Sequence, residues 1–181
     1  MNVPFLQVMF DPLSYIDPSR LGLSKPPGTA RLALNRLFLH RYGLVPPEKH
    51  TTLSPLERVV LDAWFSLRRV AYLIGARRLR TQLLRERGFF KCDEGTRRFI
   101  CLPLTQEGTP SRVTQPIDDA LLLRTGIEVL LSPLFARLTP AWGLRAALLF
   151  PLEVASAWLS PSTHPLDLGL FNLALRYAKN T

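Results

Sequence analysis

The stretch Ser54-Pro55-Leu56-Glu57-Arg58-Val59-Val60-Leu61-Asp62-Ala63-Trp64-Phe65-Ser66-Leu67-Arg68-Arg69-Val70-Ala71-Tyr72-Leu73-Ile74-Gly75 decides the fold class. Ser54 followed by Pro55 and, three residues on, by Glu57 is a capping box: hydroxyl and carboxylate reciprocally satisfy backbone donors at a helix start. From there Leu56, Val59, Val60, Ala63, Leu67, Val70, Ala71 and Ile74 recur at three- and four-residue steps, the spacing of an apolar stripe on a helix. The pattern predicts a helix over residues 55–74. Continuing it would turn Arg77 and Arg78 onto the stripe and carry Leu79 and Leu83 off it, so a kink or break is expected near Gly75, with a second stop at Gly88.

Working outward, Ser132-Pro133, Thr139-Pro140 and Ser160-Pro161 repeat the hydroxyl–proline start, which turns the sixteen prolines from an argument against helices into one for them. Asp118 and Asp119 suit the start of a helix at about Ile117, and a last helix is expected over residues 166–178. Upstream, Ala30, Ala33, Leu34, Leu37 and Phe38 predict a helix that Gly43 ends. Residues 89–104 hold two short β-favouring runs around Asp93-Glu94-Gly95-Thr96, so a small hairpin is expected there. Residues 105–115 read as a polar loop. These signals give one mainly α domain over residues 1–181, with that hairpin as its sole β element.

Hydrophobic residues make up 47% of the 181, too many for a disordered chain. Twenty-three Lys+Arg against fourteen Asp+Glu leave a net charge of +9, and nineteen of those cations are Arg. An acidic protein, a nucleic acid or an anionic membrane surface could each answer such a charge. The excess is local: residues 55–91 carry nine cations and three acids. A solvated face, a partner-facing surface and nucleic-acid binding are the readings of this run, and no recognised nucleic-acid signature accompanies it. No basic region precedes the apolar residues at the start of the chain, so no secretory leader is expected. The most apolar stretch, residues 120–159, is interrupted by charges and prolines and never offers the ~18 uncharged residues of a membrane span. A cytoplasmic protein with reduced Cys92 and Cys101 is expected.

Chemistry is hard to find. Phosphate-binding glycine loops, HExxH, Cys-His zinc spacings and GxSxG are all absent from the sequence, and His40, His50 and His164 are scattered. Asp118 and Asp119 point in different directions at a helix start and do not make an acid–base pair. No catalytic, metal or cofactor residue is assigned, and no cofactor is expected.

The face of the predicted helix opposite its stripe offers a different kind of site. At about 100° per residue, Arg58, Phe65, Arg69 and Tyr72 fall within about 60° of one another. Either this is a central helix packed on both sides, with Phe65 and Tyr72 in the core and the guanidiniums reaching water along their stems, or it is a protein-binding patch of the aromatic-and-Arg kind. Near the N-terminus, Asp11 can cap a turn opened by Pro12 while Phe10, Leu13 and Ile16 pin it to the core.

Phe10-Asp11-Pro12-Leu13-Ser14-Tyr15-Ile16, Trp64 with Val70-Ala71-Tyr72-Leu73-Ile74-Gly75, Leu79-Arg80, Leu149-Phe150-Pro151 and Ala174-Leu175-Arg176-Tyr177-Ala178 occur in an order that resembles the type III secretion accessory proteins called SctK, OrgA or MxiK, the OrgA branch above all. The likeness spans the chain apart from about residues 89–115 and the proline-rich connectors. It implies a helical, non-enzymatic adaptor of the cytoplasmic sorting platform of the injectisome, peripheral at the bacterial inner membrane. In that family the adaptor joins SctQ-type pods to the cytoplasmic domains of the SctD-type ring, and through the pods meets the SctL-type spoke and the SctN-type export ATPase. The resemblance marks Phe10, Asp11, Pro12, Tyr15, Trp64, Ala71 and Gly75 as family-motif structural positions. The alternative class is a small basic helical nucleic-acid-binding protein, for which affinity would fall steeply with salt.

Overall fold

The computed structural model of the chain describes residues 3–21, 30–45, 52–103, 116–158 and 165–179, and among these there is no strand: the fold is all-α. Helices α1 (Val3–Phe10), α2 (Arg31–Arg41), α3 (Pro55–Asp62), α4 (Leu67–Arg78), α5 (Arg80–Arg85), α6 (Glu94–Ile100), α7 (Asp119–Gly126), α8 (Ser132–Phe135), α9 (Pro140–Ala147) and α10 (Leu168–Lys179) are joined by 3-10 turns and loops. The chain forms two compact units, one from Met1–Phe65 and Phe135–Ala155, the other from Ser66–Leu134 and Ser156–Thr181.

The capping box is formed. Glu57 N–H donates to the Ser54 hydroxyl at 3.2 Å, and Ser54 N–H donates to the Glu57 carboxylate at 2.8 Å. The helix it opens is shorter than the stripe predicts. Helix α3 stops at Asp62, a 3-10 turn covers Trp64–Ser66, and α4 begins at Leu67. In a 3-10 turn residues three apart eclipse one another, so Trp64 and Leu67 both go fully inward while Phe65 turns out. The break expected near Gly75 falls four residues later: α4 runs through Gly75 to Arg78, and α5 begins at Arg80 after Leu79. Gly75 is there for space, because a Cβ on it would lie 1.8 Å from the Leu122 carbonyl oxygen. Arg77 does not disturb the apolar stripe, since its guanidinium turns to the Ile100 carbonyl at the end of α6.

In place of a hairpin, residues 89–103 hold a 3-10 turn (Gly88–Lys91) and α6. Asp93 accepts from the Thr96 N–H at 2.9 Å and the Thr96 hydroxyl at 2.7 Å, and this cap overrides the β-preference of Phe99 and Ile100, which are buried as helical residues. Pro133 starts no helix either. Helix α7 passes into a π-helical stretch, Ile127–Leu131, where the Ser132 N–H reaches back five residues to the Ile127 carbonyl, and α8 follows. A proline ring clashes with the carbonyl four residues back in an α-ladder, and the wider turn sits where that clash would fall. Pro140 does open α9, while Pro161 lies outside the described residues. Asp118 and Asp167 cap α7 and α10 through Leu121 and Leu170 N–H, each at 2.8 Å.

In the first unit, Trp64 is enclosed by Tyr15, Phe135 and Trp142, with ring centroids 5.5, 6.5 and 5.8 Å away. The Tyr15 hydroxyl donates to the Val8 carbonyl of α1 at 3.0 Å, and burial pushes its pKa far up. Beside it lies Arg145, fully buried on α9. Its guanidinium donates to the carbonyls of Val45 (3.0 Å), Ala141 (3.1 Å) and Met9 (3.4 Å), joining the end of α1 and the segment after α2 to α9. Arg20 does similar work from the surface, donating to Phe150 and Ala147 carbonyls at 2.6 and 2.9 Å.

The second unit is organised around α4. It packs antiparallel on α7, with α6 and α10 as further neighbours. The close approach is reciprocal: a Cβ on Gly126 would lie 1.8 Å from the Ala71 carbonyl oxygen, as one on Gly75 would from Leu122. Ala76, Leu79, Leu83, Cys92, Ile100 and Leu122 form a continuous apolar cluster, with Phe89 and Tyr72 packed against it. Phe99 meets Tyr177 of α10 edge to face at 5.4 Å.

Candidate interaction surface

The four residues of the predicted outer face are distributed by the interruption of the helix. Arg58 and Phe65 lie in the first unit and Arg69 and Tyr72 in the second. Arg58 is exposed on α3 beside Val59, and Phe65 is 55% exposed on the 3-10 turn. Neither side chain serves a core.

Arg69 and Tyr72 are occupied differently. The Arg69 guanidinium pairs with Asp93 at 2.6 Å and stands over the Tyr72 ring, 5.4 Å from its centroid. Burial would raise the Asp93 carboxyl, but hydrogen bonds from Arg69 and from the Thr96 hydroxyl and amide reverse that and hold it well below the usual carboxylate range. Tyr72 is pushed up to about 12, first by burial and then by the charges of Asp119 and its neighbours. This network ties α4 to the caps of α6 and α7, so Arg69 has a structural task that the helical face alone does not reveal.

The motif positions divide between cores and a surface clamp. Pro12, Tyr15 and Trp64 are buried in the first unit, and Ala71 and Gly75 form the α4–α7 contact of the second. Asp11 makes no capping bond, contrary to expectation; it pairs with Arg31 and accepts from the Asn35 amide, both at 2.6 Å, which fixes α2 to the Pro12–Ser14 turn. Phe10 does not pin the block, being 41% exposed, whereas Ile16 is buried.

Cys92 is buried, its thiol against the Gly88 carbonyl and its pKa raised chiefly by burial, while Cys101 is exposed; both are free. His40 is exposed on α2, and His50 and His164 lie outside the described residues. Among the described residues no three His, Cys, Asp or Glu stand together as metal ligands, and no helix is long and apolar enough to cross a membrane.

A partner-facing surface is one sequence reading of the basic run over residues 55–91, but that reading misses the apolar residues within the run in the second unit. Leu84 and Phe90 are 48% and 73% exposed, with exposed Arg85, Arg87 and Lys91 around them. The Arg85-Glu86-Arg87 and Phe89-Phe90 runs carried the signal, but a hairpin reading of residues 89–104 hid it.

No solved structure matches the chain at a significant level. The oxygen-regulated invasion protein OrgA of Salmonella typhimurium, in strains SL1344 and LT2 alike, is 29% identical over 178 residues, covering 96% of this chain and 85% of the relative. The family described as bacterial type III secretion apparatus protein (OrgA_MxiK) matches residues 5–180. With the match running nearly end to end, the chain belongs to the OrgA/MxiK family of type III secretion apparatus proteins.

Proposed function

We propose that this apparatus protein is a non-enzymatic adaptor at the cytoplasmic face of the inner membrane, joining SctQ-type pods to the cytoplasmic domain of the SctD-type ring and, through the pods, the SctL-type spoke and SctN-type ATPase. The family match over residues 5–180 carries the reading. A net charge of +9 and exposed Phe65 and Phe90 suit a protein that works by contact with other proteins. Arg58 and Phe65 are the first-unit candidates for such a contact; Arg69 and Tyr72 keep that role only where their rims reach a partner beyond the Asp93 network.

Affinity isolation of the tagged chain from its own bacterium, with and without nuclease, tests the proposal. Nuclease-resistant recovery of both pod and ring proteins is expected. Recovery of nucleic acid alone, lost on nuclease treatment, would overturn it in favour of a nucleic-acid binder.

A further inference from the structure

Phe89 and Phe90 are adjacent and have opposite fates. Phe89 packs against the cluster of Leu79, Leu83 and Cys92, while Phe90, edge to face with it at 5.7 Å, is 73% exposed. The turn that presents Phe90 is fixed at both ends. Before it, Arg87 takes φ +56°, the left-handed region, although the glycine that region favours stands next in the chain as Gly88. After it, Cys92 is buried with its thiol at 3.5 Å from the Gly88 carbonyl oxygen. Strain held in a non-glycine residue is a recurrent mark of a functional position. Within residues 84–91, exposed Arg85, Arg87 and Lys91 accompany Phe90 and half-exposed Leu84 against one acid, Glu86, and the next two acids, exposed Asp93 and Glu94, are paired with Arg69 and Arg98.

We infer that this shoulder, residues 84–91, is a docking site for an acidic protein surface with an apolar pocket: Phe90 fills the pocket, and Arg85, Arg87 and Lys91 meet the acidic rim. The inference rests on the adaptor reading and adds the place and chemistry of one contact. Charge complementarity selects an acidic partner, since residues 84–91 carry three exposed cations and one acid, and the acids that follow, Asp93 and Glu94, already have arginine partners. A protein is favoured over a lipid surface because a rigidly held aromatic with arginines beside it is the composition of an interface hot spot. Two protruding apolar side chains and a few cations give a bilayer only marginal, reversible attachment.

The test uses the full chain, the purified pod protein and the purified cytoplasmic domain of the ring protein, with calorimetry at low and high salt. Vesicles of phosphatidylcholine with and without phosphatidylglycerol form a separate arm. The variants are Phe90→Ala, the double charge reversal Arg85→Glu/Lys91→Glu, and Arg87→Gly. Phe90→Ala should weaken binding to one of the two proteins about tenfold or more. The charge reversal should weaken it and remove most of its salt dependence. Arg87→Gly should melt no lower than the parent, since it relieves the left-handed strain, yet bind more weakly. Parent binding that all three variants leave unchanged overturns the docking site while the adaptor reading stands. A parent chain that binds neither protein overturns the adaptor reading and this inference with it. Phe90-dependent binding to phosphatidylglycerol vesicles with protein binding unchanged makes the shoulder a membrane contact and overturns the inference, as does a Phe90→Ala chain that no longer folds.

Discussion

Replacing Gly75 by Ala should destabilise the protein although the same change in most helices stabilises it. Alanine is favoured over glycine in a helix interior by about 1 kcal/mol. At Gly75, however, the new Cβ would stand 1.8 Å from the Leu122 carbonyl oxygen, whereas such contacts are essentially never under 3.0 Å. That oxygen belongs to helix backbone and cannot rotate aside, so α4 and α7 must part by more than about 1 Å. A gap of that size forfeits a quarter to a half of the dispersion energy between facing atoms. Overpacking of this kind costs about 1–3 kcal/mol or more, so with the helix preference subtracted we expect a net loss of about 2 kcal/mol and a melting temperature lower by roughly 4–8 °C. Gly126→Ala should cost a similar amount through the Ala71 carbonyl. Because one separation of the helices relieves both clashes, the double variant should lose clearly less than the sum. Thermal melts by far-UV circular dichroism, with urea unfolding in parallel, measure all three. Gly143 on α9 is the control: nothing lies within 4 Å of a Cβ there, so Gly143→Ala should be neutral or stabilise by up to about 1 kcal/mol. A Gly75→Ala chain as stable as Gly143→Ala, or strict additivity of the pair, would mean that the α4–α7 contact does not exclude a Cβ at Gly75.

Arg145→Met should cost about 2–4 kcal/mol in urea unfolding, because it strips the donor from the buried Met9 carbonyl and the tie to the Val45 carbonyl while keeping most of the volume. Arg58→Glu should leave the melt within about 0.5 kcal/mol of the parent, whereas Arg69→Glu, which sets a carboxylate against Asp93 at the α6 cap, should destabilise by about 1–2 kcal/mol; comparing the two melts separates a surface charge from a structural one. The folded-state pKa of Asp93 and that of Glu57 lie below their unfolded values near 4, so their stabilisation is present above about pH 4 and lost as pH falls through the depressed values. Acid titration of stability should therefore steepen below about pH 4, and Asp93→Asn should flatten that limb.

Local chemistry was the legible part of this fold. The Ser54–Glu57 capping box, the Asp118 start and the Gly43 end are decided within a few residues, so sequence alone locates them. The errors arise where tertiary structure sets the meaning of a residue. Gly75 reads as a breaker unless Leu122 is known to lie across from it, and the apolar stripe of residues 55–74 runs on through a 3-10 turn because burial of Trp64 and Leu67 satisfies both geometries. Asp93 carried a readable signal that β-preference masked: an acid followed three residues later by Thr96 is a helix cap as readily as a hairpin turn. Pro133 inside a helix needs the π-helical stretch, which no periodicity announces. Of the proposed face, the sequence leaves Phe65 open between core and surface, and its exposure follows from the 3-10 turn, while the tie of Arg69 to Asp93 spans 24 positions and is visible only in three dimensions.

An adaptor of this kind must hold pod and ring together within one chain. Purified chain, pod protein and ring cytoplasmic domain, mixed in pairs and then all three, can be followed by sedimentation velocity. Pod and ring components should sediment separately when mixed alone and enter one ternary complex when this chain is added. A chain that binds only one of them, or that exchanges one for the other without a ternary species, would contradict the adaptor reading.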